Sequence, residues 1–175
     1  MPGFIPLAHR LAPTHGLLDC GGEGNCGPLT ISYLLHEYNI ADRDHEDVRA
    51  TVVAHATSPE VLARTIRHSS LTMEDSIVSS YASWVSPPLP STVESWAAAM
   101  RISGTYFDHA ALQLAADAFA VTIHIHLIDK KGRDVPCDPV MPTRDIQPKA
   151  TISIAALADT HFMAILPAAG EKGQQ

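Results

Sequence analysis

Apolar residues recur at helical spacing through Leu29, Ile31, Tyr33, Leu34, Leu35 and Tyr38, directly after a stretch broken by Gly21, Gly22, Gly24 and Gly27. The pattern predicts a tight loop that turns into a helix at Cys26. From Asp42 to Met100 the pattern stays helical, with starts at Asp44 or His45, at Ser58-Pro59, and at Ser91 or Thr92, where Ser91 and Glu94 have capping-box spacing. Pro87, Pro88 and Pro90 cannot lie inside a helix, so they predict an extended connection, and residues 42–90 read as a helical subdomain or arm.

Asp108 to Phe119 is rich in alanine and leucine and predicts a helix capped by Asp108 and stopped near Ala120. The period then changes to two. Val121, Ile123, Ile125 and Leu127 alternate with Thr122, His124, His126 and Ile128, and Asp129 to Arg133 has the turn chemistry of a hairpin. Two more strands are expected at Ala150–Ala156 and Phe162–Leu166, joined by a loop holding Asp159, Thr160 and His161. The first eighteen residues, with Pro2, Pro6, Pro13 and Gly16, read as an irregular lead, and the tail after Pro167 as frayed. The expectation is an α+β fold, one domain over residues 1–175, with a small central β-sheet flanked by helices and no internal repeat.

Composition narrows the functional classes. With 175 residues, 46% hydrophobic and 18% charged, the chain has the material for one ordinary globular core. Nineteen acidic against twelve basic residues, a formal charge of −7, give no electrostatic footprint for nucleic acid. No run approaches the length of apolar sequence that spans a bilayer, and Met1 to Arg10 lacks the pattern of an export signal, so a soluble cytoplasmic protein is expected. Cys20, Cys26 and Cys137 are an odd number at spacings that fit no zinc or disulfide framework, and at least one free thiol follows. His124 and His126 share a strand face without a third ligand, so neither a metal nor another cofactor is expected.

Among the cysteines, Cys26 has the placement of a nucleophile. A thiol in the first helical turn feels the positive end of the dipole and unpaired N–H groups, both of which favour thiolate. Glycines before it let the backbone approach a carbonyl closely and aim amides at an oxyanion. The alternative is a small buried hydrophobe in a glycine-rich turn. His161, at a loop-to-strand edge, is the candidate base. Cys20 reads as a passive thiol or as a disulfide partner for Cys26, and Cys137, between Pro136 and Pro139, as a surface-turn residue.

Gly22-Glu23-Gly24-Asn25-Cys26 followed by an amphipathic helix resembles the nucleophile motif of the ovarian-tumour (OTU) family of deubiquitinating cysteine proteases. Trp96 to Met100, Gly104, and Ala111 to Phe119 running into Val121–Ile125 resemble its second block, and His161-Phe162-Met163-Ala164-Ile165 its third. The blocks fall in the family's order and span residues 19 to 166. The resemblance implies a papain-like α+β fold, ubiquitin or polyubiquitin as partner, and isopeptide hydrolysis by Cys26 and His161. It also implies a loop in which Glu23, Gly24 and Asn25 shape the oxyanion site. Asn25 either bonds its own backbone, as such residues commonly do, or lends a donor to the oxyanion.

The position two after His161, where the family often carries an orienting Asp or Asn, is Met163, whose thioether is a poor acceptor. Asp19 and Asp159 are the candidates for the third member, each also readable as a turn residue. Ile66, Leu71, Met73 and Ile77 of the arm are either a surface for ubiquitin or core. A protease for another ubiquitin-like modifier or a polyprotein junction would share the same pair. A catalytically inactive ubiquitin-binding module would keep the fold without using it. A monomer is expected, acting in the cytosol, or in a host's cytosol if the chain is a secreted bacterial or viral effector.

Overall fold

The computed structural model describes residues 15–22, 24–82, 91–129, 131–157 and 161–167. Glu23, Asp159 and the prolines at 87, 88 and 90 therefore lie outside the described residues, as do the expected irregular lead through residue 14 and the tail after Pro167. Within them the elements run β1 (His15–Leu18), α1 (Cys26–Glu37), α2 (His45–Ala56), α3 (Pro59–Leu62), α4 (Met73–Ala82), α5 (Val93–Met100), α6 (His109–Phe119), β2 (Val121–Ile128), β3 (Asp134–Val135), β4 (Ala150–Leu157) and β5 (His161–Pro167).

Local chemistry explains most of the boundaries. Asp44 caps α2 by accepting the Asp47 N–H, and Asp108 caps α6 by accepting that of Ala111. Ala120 ends α6 in the left-handed region, φ 53°, so the chain enters β2 one residue later. The capping box of α5 is Thr92 with Ser95, one residue beyond the expected Ser91 and Glu94, because Ser91 instead donates to the Val78 carbonyl at 2.6 Å. A second reciprocal cap, Thr72 with Asp75, starts α4.

The five described strands form one sheet in the order β1-β5-β4-β2-β3. β2 and β4 run parallel from Val121↔Ala150 to Ile128↔Leu157, and the other pairs are antiparallel. Helices pack against it, with α1 on β5 and α6 on β2, while α2 lies on both α1 and α6. The fold is thus the expected α+β arrangement, with one departure. Residues 15–18, read as irregular, pair with β5 as an edge strand.

The core joins all these layers. Leu34 and Leu35 of α1, Val48 and Val52 of α2, Trp96 and Met100 of α5, Leu114 of α6 and Ile123 and Ile152 of the sheet are fully buried. Met73 and Ile77 are buried with them, so two of the four apolar residues considered for a ubiquitin surface are core, while Leu71 stays 48% exposed. Among the described residues, no helix is long and apolar enough to cross a membrane.

Candidate active site

Cys26 opens α1 and is 1% exposed. Its place at the helix tip decides which backbone donors surround it. A helix start leaves its first N–H groups without intrahelical partners. Leu29 already donates to the Asn25 carbonyl at 3.0 Å, and Pro28 has no N–H, so the orphan donors of the first turn are those of Cys26 and Gly27. These two N–H groups, and that of Phe162 from β5, lie near enough to the Cys26 sulfur to favour its thiolate. Burial is nevertheless the largest influence and pushes the thiol above its ordinary pKa, against these three donors, with the Asp19 charge adding to the rise. Cys26 therefore rests as a thiol, and the helix tip alone does not ionise it.

Phe162 follows His161, and α1 packs so closely on β5 that an added Cβ at Gly27 would lie 3.3 Å from the Phe162 ring, which puts the histidine at the same edge. His161 begins β5 opposite Leu157 and is 6% exposed. Its Nε2 lies 2.9 Å from Asp19 Oδ1. The Asp19 carboxyl is held below its usual pKa first by the Gly21 N–H at 2.9 Å, against the opposing effect of burial, and then by His161. An ionised carboxylate can only accept, so Nε2 carries the proton and donates it, which makes Nδ1 the basic nitrogen of the neutral ring.

The register explains how a residue at the other end of the chain reaches this histidine. Leu18 pairs with Ala164, so Asp19, next along the ladder, falls beside Met163. Position 163 on β5 carries Met, and the carboxylate that meets the ring comes from the end of the neighbouring strand. Sequence alone left Asp19 and Asp159 open. The structure brings Asp19 to the ring, and Asp159 lies outside the described residues.

Gly24 and Asn25 form the turn before the nucleophile. Gly24 has φ +73° and packs so closely on the 100–105 segment that an added Cβ would overlap the Gly104 carbonyl. A Gly24→Ala variant is expected to lose at least tenfold in Cys26 reactivity toward iodoacetamide, measured by mass spectrometry, because strain and overlap together must move the loop. A wild-type rate would show that the loop tolerates the shift.

The Asn25 side chain does not bond its own backbone, the first of the two roles considered from sequence. Its Oδ1 accepts from the Gly104 N–H at 3.0 Å and from Arg49 Nη2 at 2.8 Å, while Nδ2 donates to Ser103 Oγ at 3.1 Å. No side-chain cap hydrogen bond forms at the start of α1. The bridge commits the carbonyl oxygen and one N–H of the amide and leaves its second N–H able to donate.

Arg49 was not a sequence candidate. It had a signal, since Arg49, Val52, Val53 and Ala56 stand at i, i+3, i+4 and i+7 on the buried face of α2. A cation in an apolar stripe has to be satisfied by buried acceptors.

An apolar cavity of about 500 Å³ opens beside these residues between α6 and the sheet. Its wall includes Phe162 and Tyr106, whose rings stack with centroids 5.0 Å apart, and Cys137 lies at its lining. Cys20 is half-buried and a free thiol, like Cys26 and Cys137. Among the described residues, no three His, Cys, Asp or Glu side chains gather as a metal site.

A helix opened by a cysteine and packed on a strand that begins with a histidine, in a small mixed sheet, is the architecture of the papain-like α+β class. Within that class the similarity is to OTU domains. Compared as a sequence, the chain matches no protein-family model and no curated protein. Compared as a structure, it is similar to the viral OTU domain protease from Dera Ghazi Khan virus, with 13% identity and a TM-score of 0.61, over 91% of this chain and 85% of that one. An OTU deubiquitinase from Wolbachia pipientis wMel, solved bound to ubiquitin, matches at 12% identity and TM-score 0.57, over 87% and 96%. The Hazara virus OTU, also bound to ubiquitin, matches at 14% identity and TM-score 0.55, over 91% and 85%. The chain has the OTU fold, at 12–14% sequence identity to these structures.

Proposed function

We propose that the chain is a divergent OTU-type cysteine protease that hydrolyses isopeptide bonds at the ubiquitin C-terminus, with Cys26 as nucleophile, His161 as base and Asp19 as the orienting acid. The observation that carries this reading is the hydrogen bond from His161 Nε2 to Asp19 at 2.9 Å, on the strand against which the helix opened by Cys26 packs. Ubiquitin enters as substrate because two structurally similar proteins are solved bound to it. The cytosol, where ubiquitin conjugates are found, is the proposed place of action.

In this mechanism His161 Nδ1 takes the proton from Cys26 as the sulfur attacks the carbonyl carbon of the terminal glycine. General-base removal of the proton suits a thiol that burial keeps protonated at rest. Backbone N–H groups of the Gly24–Cys26 turn face the oxyanion, His161 returns its proton to the leaving lysine amine, and water releases the acyl-enzyme.

A ubiquitin probe with an electrophile at its C-terminus tests the proposal. Covalent labelling of Cys26, absent in Cys26→Ala, together with cleavage of di-ubiquitin, is the expected outcome. Tight ubiquitin binding without labelling would instead identify a binding module. Labelling by a different ubiquitin-like modifier alone would move the substrate to that modifier.

A further inference from the structure

Arg49 is 6% exposed, lies under the nucleophile loop and takes no part in the mechanism above. Its Nη1 donates to the Met100 carbonyl at 2.9 Å. Its Nη2 donates to Asn25 Oδ1 and to the Thr105 carbonyl, each at 2.8 Å, with the Gly24 carbonyl at 3.5 Å. The guanidinium also sits 5.1 Å from the centre of the Phe107 ring. One planar group thus grips both ends of the 100–105 segment and the two residues before the nucleophile. Among the described residues, all the acceptors that meet it are neutral oxygens. A buried cation serving only stability would more economically face a carboxylate, since desolvating an unneutralised charge is costly.

We infer that Arg49 is a positioning residue, which fixes the Gly24–Asn25 turn through its bonds to Asn25 and the 100–105 segment and so keeps the helix-tip N–H groups aimed at the sulfur and the oxyanion. The reason lies in the turn itself. Gly24 has a backbone that only glycine adopts easily, and Asn25 spends its side chain outside the helix, so among the described residues no side-chain cap holds the turn. Arg49 and the Ser103-Gly104 pair supply the missing constraint from two separate elements. Displacements of about 1 Å in a catalytic group can cost on the order of a hundredfold in rate. A lysine would keep the charge but lacks the planar fork that reaches Met100, Thr105 and Asn25 together.

The inference rests on the proposed protease reading, and its test separates the two. Arg49→Met, Arg49→Lys, Asn25→Ala and the Arg49→Met/Asn25→Ala double variant are compared with wild type. Circular dichroism first establishes which are folded at the assay temperature. On a fluorogenic ubiquitin C-terminal amide, kcat is expected to fall roughly tenfold or more in each single variant, Arg49→Lys included, with KM within about twofold. The double variant is expected to be no slower than the worse single one, because both remove the same constraint.

Alkylation of Cys26 by iodoacetamide at pH 7, located by fragment-ion sequencing, is expected to slow roughly threefold or more in the same variants. This arm needs no ubiquitin, so a wild type that fails on ubiquitin but alkylates faster than its variants sinks the ubiquitin-protease reading and leaves the inference standing. A folded Arg49→Met with wild-type kcat and alkylation overturns the inference. Losses that simply multiply in the double variant do the same. Should Arg49→Met not fold, Arg49→Lys and Asn25→Ala decide, and full activity in a folded Asn25→Ala counts against it.

Discussion

Replacing His161 with alanine is expected to lower turnover of a fluorogenic ubiquitin amide by about 10³-fold or more, while Cys26→Ala reduces it to background. The histidine loss is large because Cys26 rests as a thiol. Burial outweighs the donors of Cys26, Gly27 and Phe162, so at neutral pH the variant keeps little thiolate and has no group to protonate the leaving amine. Asp19→Ala is expected to cost less, roughly tenfold, because the ring loses its orientation but keeps its basic nitrogen. Asp19→Asn should be milder still, since its carbonyl oxygen can accept from Nε2 in the same place. The carboxyl of Asp19 is held below its usual range, so it stays ionised across the working pH and adds no titration of its own to the profile. Steady-state kinetics on the four variants gives the ranking. Turnover of Asp19→Ala within twofold of wild type would reduce the site to a Cys26–His161 dyad, and near-normal turnover of His161→Ala would remove the histidine altogether.

That ranking depends on β1, which the sequence did not disclose. Four residues with a glycine second among them show no alternation, and the pairing of Leu18 with Ala164 is tertiary. A strand that owes its existence to a partner near the other end of the chain leaves no local trace. Asp19 inherits the same obscurity, since its partner lies 2.9 Å away in space but across almost the whole sequence. Asn25 was misread for a related reason. Local backbone bonding is the common behaviour of asparagine in a turn, and only the folded 100–105 segment offers it better partners. By contrast, α6 and β2 were legible. A cap at Asp108, an apolar stripe and a clean change of period at Ala120 all point the same way, and this agreement between local signals makes a sequence readable. Cys26 was legible because a glycine-rich loop can hardly turn into a helix without presenting the helix tip.

The largest stability effect is expected at Asp117, on the buried side of α6. Its side chain is fully buried. Oδ1 accepts from the Thr143 N–H at 2.8 Å and from the Thr143 hydroxyl, while Oδ2 accepts from Arg64 Nη1 at 2.7 Å and His55 Nε2 at 2.9 Å. One carboxylate therefore joins α2, the segment after α3 and the connection between β3 and β4. Burial by itself would raise its pKa, but the hydrogen bonds from His55, Thr143 and Arg64 outweigh that and hold it at about 2, against an ordinary 3.8. Because the folded value is the lower one, the group stabilises the fold in full above about pH 4, and the contribution fades as the pH falls from there toward 2. It is worth on the order of 2 kcal/mol across that window. Asp117→Ala goes further, since it leaves four donors, from Thr143, Arg64 and His55, without this acceptor, and is expected to cost about 3–5 kcal/mol. In a domain of this size that corresponds to a melting temperature lower by roughly 6–20 °C. The variant should also lose the steep acid-side fall in stability between pH 4 and 2, because the group that titrates there is gone. Thermal melts of wild type and variant at pH 7 and through that acid range read both effects. A melting temperature within about 2 °C of wild type at pH 7, or an unchanged acid slope, would show that the network contributes little.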